Sequence, residues 1–204
     1  MRQPPPPSRC PLLRPAAAAV LALLVAGCLA TSAHRSRELL IQGNDAVRAS
    51  RYAEAVRLFR KAAKTDDPGL RSEALFSLGR TYEMQVVTTP GTDSQALGVY
   101  LDMIDELPPD PFVAAAYKRA IKLHLRAERH AKAERLIRQA LDAGPPLRED
   151  EFLLQWIALA RRQKDVKLIR RLCDRIIATH PNTEAASKAV RIKHALHRHL
   201  KDAP

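Results

Sequence analysis

Residues 39–68 read LLIQGNDAVRASRYAEAVRLFRKAAKTDDP. Two small-and-apolar sets run through this stretch with helical spacing: Leu39, Gly43 and Ala46, then Ala55, Phe59 and Ala62. Positions three and four apart share a helix face, so each set lines one side of its own segment. Two antiparallel helices approach closely only where the side chains between them are short. Gly43 and Ala55 supply such points, and bulky residues three or four positions away fill the gaps beside them. Pro68 cannot continue a helix and turns the chain. The stretch predicts a helix, a turn and a second antiparallel helix.

The pattern returns three times. Leu75, Leu78, Gly79 and Tyr82 precede Ala96, Tyr100 and Met103, and Pro108 closes the set. Tyr117, Ala120, Ile121 and His124 precede Ala133, Ile137 and Ala140, with Pro145 at the end. Leu153, Trp156, Ile157 and Ala160 precede Ile169, Cys173 and Ile176, followed by Pro181. From the Gly position to the closing Pro is 25 residues in the first set, 29 in the second and 24 in the third and fourth. The extra length of the second falls in 85–94, where Val86, Val87, Thr88 and Thr89 lead to a Pro90-Gly91 turn signal. One helix pair cannot bury its apolar face alone, so the pairs must stack.

These residues resemble the tetratricopeptide repeat (TPR). Its pattern is a large residue, Leu-Gly and an aromatic on the first helix, then Ala, an aromatic and Ala on the second, then Pro. The first set matches best; the last two lack the Leu-Gly pair. The resemblance implies an all-α fold, a right-handed superhelical stack of about four helix pairs over residues 35–181. Residues 182–204 then form a capping helix and tail. Thr183 is placed to cap that helix, and Lys188, Arg191, Lys193 and Arg198 interrupt its apolar positions, as suits the open end of a stack. The scarcity of aromatics, 4% of the chain, and of Gly, 7 residues, also favours helix over sheet.

The N-terminus carries a separate signal. Residues 1–14 are basic and Pro-rich, and an uncharged apolar run follows from Ala16 to Ala26. As a helix that run spans roughly 16 Å, about half a bilayer core, so it reads as a signal segment rather than a membrane span. It ends in Val25-Ala26-Gly27-Cys28. This resembles the lipobox of bacterial lipoproteins, which implies a signal peptide over 1–27 and a diacylglycerol thioether, with further acylation such as palmitate, on Cys28. Residues 28–34 would be the lipidated N-terminus and a short linker. In such proteins Leu29 after the Cys implies sorting to the outer membrane, facing the periplasm. Secretion with cleavage near Ala30-Thr31-Ser32-Ala33 and a mitochondrial transit peptide stay open as alternatives. His180-Pro181-Asn182-Thr183 before an Ala-rich helix resembles the periplasmic TPR lipoproteins of envelope assembly, such as barrel-assembly accessory subunits and the Tol–Pal coordinator. With Cys10 removed and Cys28 acylated, Cys173 stands alone on a helix core position, an inert thiol.

The formal net charge is +12, unevenly spread: residues 66–111 carry −7 and 112–204 carry +11. Such a dipolar surface steers acidic partners. Transferring the TPR register puts Arg37, Leu40, Asn44 and Arg48 on the concave groove from the first pair, and Glu73, Phe76, Arg80 and Glu83 from the second. Lys118, Lys122, Leu125 and Arg126 follow from the third, with Glu151, Leu154, Arg161 and Arg162 from the fourth. The expected partner is another envelope protein, bound as an extended acidic segment whose carboxylates meet Arg forks. The fixed Lys–Asn–Arg carboxylate clamp of some TPR co-chaperones is matched at Asn44 and Arg119, but Leu40, Ala115 and Ser77 replace its other members. A second reading is a basic helical repeat for nucleic acid or anionic lipid and glycan. It would use 118–138 and 161–175, which carry 8 and 7 basic residues against 2 acidic residues each.

No phosphate loop, Cys pair, nucleophile elbow or His-Glu metal motif is present in the sequence. His194 and His197 share a helix face, but His199 points elsewhere and the nearest acid is Asp202. We expect no catalysis, cofactor or metal.

Overall fold

The computed structural model describes the backbone of residues 15–85, 91–145 and 147–201, and side chains from Ser32 onward save those of Thr92 and residues 198–201. Among the described residues there are nine helices and no strand. They are α1 (Pro15–Arg48), α2 (Tyr52–Ala62), α3 (Pro68–Gln85), α4 (Thr92–Glu106), α5 (Pro111–Arg126), α6 (His130–Ala143), α7 (Glu149–Arg162), α8 (Val166–Thr179) and α9 (Glu184–Lys201). Cys28 and residues 28–34 lie within α1. No helix of the described residues is long and apolar enough to cross a membrane.

Four antiparallel pairs, α1/α2, α3/α4, α5/α6 and α7/α8, stack in chain order, and α9 follows. Each helix packs on its neighbours in sequence. Beyond that, α1 touches α3, α3 touches α5, α5 touches α7 and α7 touches α9. The even-numbered helices do not touch one another. A layer whose members meet, backed by a layer whose members splay apart, is the geometry of a curved stack. The odd helices form its inner wall, as the repeat pattern predicts.

The short residues sit where the pairs cross. A Cβ built on Gly43 would lie 2.5 Å from Phe59 Cε1, and one on Gly79 would lie 2.5 Å from Tyr100 Cε1. Both rings are fully buried. At the same positions of the third and fourth pairs stand Ile121 with Ile137 and Ile157 with Cys173, all buried. There the knob has shrunk and the hole has been filled, a volume exchange that keeps the crossing packed without Gly.

Side-chain oxygens start several helices. Asp67 accepts from the Leu70 N–H at 3.0 Å, Asp110 from Val113 at 2.7 Å, Asp165 from Leu168 at 2.9 Å and Thr183 from Ala186 at 3.1 Å. Pro68 and Pro111 occupy the first helical position, where the missing N–H costs nothing.

The turns inside the first, third and fourth pairs share one conformation. Ser50, Glu128 and Lys164 have φ of 58°, 56° and 58°. After each of them an N–H reaches back five residues: Arg51 to the Ala46 carbonyl at 2.8 Å, Arg129 to His124 at 2.9 Å and Asp165 to Ala160 at 2.9 Å. This is the Schellman end of a helix, usually made with Gly, built here three times without it.

The core falls into two clusters that share α7. Phe152 and Leu159 of α7 pack toward the first three pairs. Leu153, Ile157 and Ala160 pack with α8 and with Ala185, Ala186 and Ala189 of α9. Cys173 is buried in the second cluster, and burial pushes its thiol up to about 11, as expected of an inert Cys.

Candidate functional site

The inner wall is made by α1, α3, α5 and α7. Its polar residues divide into those tied within the molecule and those left open. Lys118 meets Glu151 at 2.5 Å, Arg126 meets Asp93 at 2.9 Å and Arg48 meets Asp45 at 2.9 Å. Arg162 donates to the Leu125 carbonyl at 3.1 Å. By contrast Arg37, Arg80, Lys122 and Arg161 are exposed and make no ion pair with a described residue.

Leu40 and Leu125, also assigned to the wall by the repeat register, are buried in the core. Phe76 is half-buried between the Tyr100 and Phe112 rings, each 5.9 Å away. Tyr100 donates its hydroxyl to Glu83 at 2.7 Å, and Arg119 approaches the other oxygen of Glu83 at 3.4 Å. Burial and that bond to Glu83 raise the Tyr100 pKa far above its ordinary value. Arg119, the residue that matches the clamp Arg, is thus held by Glu83, while Leu40 fills the core in place of a clamp Lys. These positions join the helices rather than present a carboxylate site.

Two cavities open on the wall. Asn44, Val47, Ser77, Arg80 and Met84 surround one of about 80 Å³ between α1 and α3, with Phe59 behind it. Its apolar lining and polar rim suit one small aliphatic side chain. The other, about 500 Å³, bridges α5, α7 and α9, with Lys118, Glu151, Leu154 and Lys188 among its lining. In its lining the Arg148 fork holds Asp150 at 2.7 Å. Burial acts to raise the Asp150 carboxyl pKa, but the Arg148 bond and charge outweigh it and hold the group below its ordinary value.

No group of His, Cys, Asp and Glu among the described residues could hold a metal. His194 and His197 are exposed on α9, and the side chain of His199 lies outside the described residues. His124 is buried; burial, Lys132 and Arg129 lower its pKa, which favours the neutral ring. Val86, Val87, Thr88, Thr89 and Pro90 lie outside the described residues.

The internal pairs were missed by sequence reasoning, although one signal pointed to them. Lys118–Glu151, Arg126–Asp93 and Arg119–Glu83 are 33, 33 and 36 residues apart. That is close to one repeat: Lys118–Glu151 and Arg119–Glu83 join neighbouring odd helices, whereas Arg126–Asp93 joins α5 to α4.

No family model and no curated protein matches the sequence. Among solved structures, one described as the functional characterization of Pseudomonas aeruginosa pilF is similar, with a TM-score of 0.50 and 17% identity. The match covers 76% of this chain and 66% of that one. At this identity the likeness concerns the fold, a stack of helix pairs.

Proposed function

We propose that the chain is a lipid-anchored adaptor of a bacterial cell envelope that holds an extended acidic segment of a partner protein against its inner wall. The observation that carries the reading is the division among the wall cations. Lys118 and Arg126 are used up inside the molecule, whereas Arg37, Arg80, Lys122 and Arg161 are not. Four open cations against one wall acid without an ion pair among the described residues, Glu73, leave the wall a net positive field that steers an acidic partner.

Neighbouring odd helices sit about 8–10 Å apart, and an extended chain advances about 3.3 Å per residue. Carboxylates about three residues apart on the partner would then meet successive helices. A small aliphatic side chain between them fits the cavity under Asn44 and Arg80. Cys28, acylated after cleavage, would fix the adaptor to the membrane, the outer one by the Leu29 pattern. A nucleic-acid ligand is disfavoured by the lack of stacking surface. The single Trp of the chain, Trp156, already carries the Arg138 guanidinium 4.6 Å from its ring centre.

The test is capture from detergent-solubilised envelopes. Arg80→Glu with Lys122→Glu is expected to abolish capture of the partner that the wild type retains. Undiminished capture sinks the groove reading, and salt-sensitive binding of RNA by the wild type replaces it. Globomycin is expected to block processing; a Cys28→Ala form that stays membrane-bound removes the anchor.

A further inference from the structure

α9 stands in the stack as a first helix. It touches α7 and α8 just as α7 touches α5 and α6. In the fourth pair Ile157 and Ala160 pack into the cluster made with α8. One repeat later the same positions are Lys193 and Leu196, and among the described residues no second helix follows to cover them. In its place lies an open cleft of about 470 Å³ between α8 and α9. Ile177, Val190 and Leu196 form its apolar lining, and Val190 is 39% exposed. Arg170, His194 and His197 rim it, and no acidic residue lines it. Lys193 is taken by Asp174 at 2.5 Å, whereas Arg170, His194 and His197 have no acidic partner among the described residues.

We propose that this cleft seats an amphipathic helix of a partner protein, with aliphatic residues turned inward and Asp or Glu along its flanks, which completes a fifth helix pair. Charge decides against a second copy of this chain. α9 carries five cations, Lys188, Arg191, Lys193, Arg198 and Lys201, against one acid, Glu184, so two copies laid together would oppose the same net charge, which costs affinity. The acidic helix of this chain, α4, is not free to serve, because Ala96, Tyr100, Met103 and Ile104 bury it in its own pair. This surface is separate from the inner wall and does not depend on what the wall binds.

A labelled probe peptide tests the seat. VELIEELSDEIIAT is the α8 sequence with Lys167→Glu, Arg170→Glu, Arg171→Glu, Arg175→Glu and Cys173→Ser; the control keeps the four cations. With the full chain, the acidic peptide is expected to bind at least tenfold more tightly than the control and to slow amide exchange along α8 and α9. Val190→Glu with His194→Glu, both exposed sites, is expected to weaken it at least tenfold, while the wall variant Arg80→Glu leaves it unchanged. Equal binding of both peptides, no binding, or loss only with Arg80→Glu overturns the proposal. So does a dimer in sedimentation whose α9 amides are already protected without peptide.

Discussion

Adding one carbon to Gly79 is the sharpest probe of how these helices meet. In Gly79→Ala the new Cβ would stand 2.5 Å from Tyr100 Cε1 and 2.8 Å from Cζ. An ordinary carbon contact is about 3.5–4.0 Å, so the ring must retreat by roughly 1 Å or more. It has no free path. The ring is fully buried and its hydroxyl is held by Glu83, which faces Arg119. Overpacking costs about 1–3 kcal/mol, and a strained hydrogen bond to a charged group puts a further ~1.5–3 kcal/mol at risk. Against this, Ala gains about 1 kcal/mol over Gly in helix propensity. The expected net loss is about 2–3 kcal/mol. At Gly43, Phe59 is just as close but has no polar tether, so Gly43→Ala should lose only about 1–2 kcal/mol. Gly79→Ile with Tyr100→Ile copies the Ile121/Ile137 pair of the third repeat and should be less destabilised than the sum of its single changes. Urea unfolding followed by circular dichroism gives the energies, and amide exchange in α3 and α4 localises them, since stacked repeats need not unfold in one step. A Gly79→Ala protein stabilised by about 1 kcal/mol would show propensity acting alone, and the close-crossing argument would fail.

Other perturbations test separate parts of the reasoning. Ser50, Glu128 and Lys164 carry left-handed backbone without being Gly; each Gly substitution should raise stability by about 0.5 kcal/mol, and Glu128→Val should lower it by about 1–2 kcal/mol, read by thermal unfolding. Asp110→Ala removes the α5 cap and the acceptor of the Ser72 hydroxyl, an expected loss of about 2 kcal/mol by urea titration. Because Asp150 ionises below its ordinary value in the folded state, its contribution is full above the unfolded carboxyl pKa of about 3.9 and disappears as pH falls through the lower folded one. Asp150→Asn should therefore lose about 1 kcal/mol at pH 7 and show a shallower fall in stability below about pH 4. Cys173, with its thiol pushed up to about 11, should resist iodoacetamide in the native state and react on unfolding; prompt native alkylation would contradict its burial.

The helix pairs were legible because their determinants are local. A short residue and the ring it receives, Gly43 and Phe59, lie within one hairpin, and helical spacing declares both faces before any tertiary contact is known. The same register placed Cys173 in the core and Thr183 at a helix start. It went astray as a guide to the wall at Leu40 and Leu125, where residues assigned to the groove are buried. A period of 3.6 fixes which side of a helix a residue occupies, but how deeply the neighbouring helix covers that side depends on the crossing.

Helicity, the pairing of the helices and the recurrence of the pairs could all be read along the chain. Each of these follows from side-chain size and spacing inside a single repeat. Which cations remain available emerges from the packed helices. Lys118 and Arg126 are cancelled by acids roughly one repeat away, and Arg80 and Lys122 are not, because charge pairing depends on distances between helices. Likewise, that α9 presents a face no described helix covers became visible only once the helix stood in its place beside α7 and α8, since coverage is a property of neighbours and not of the segment itself.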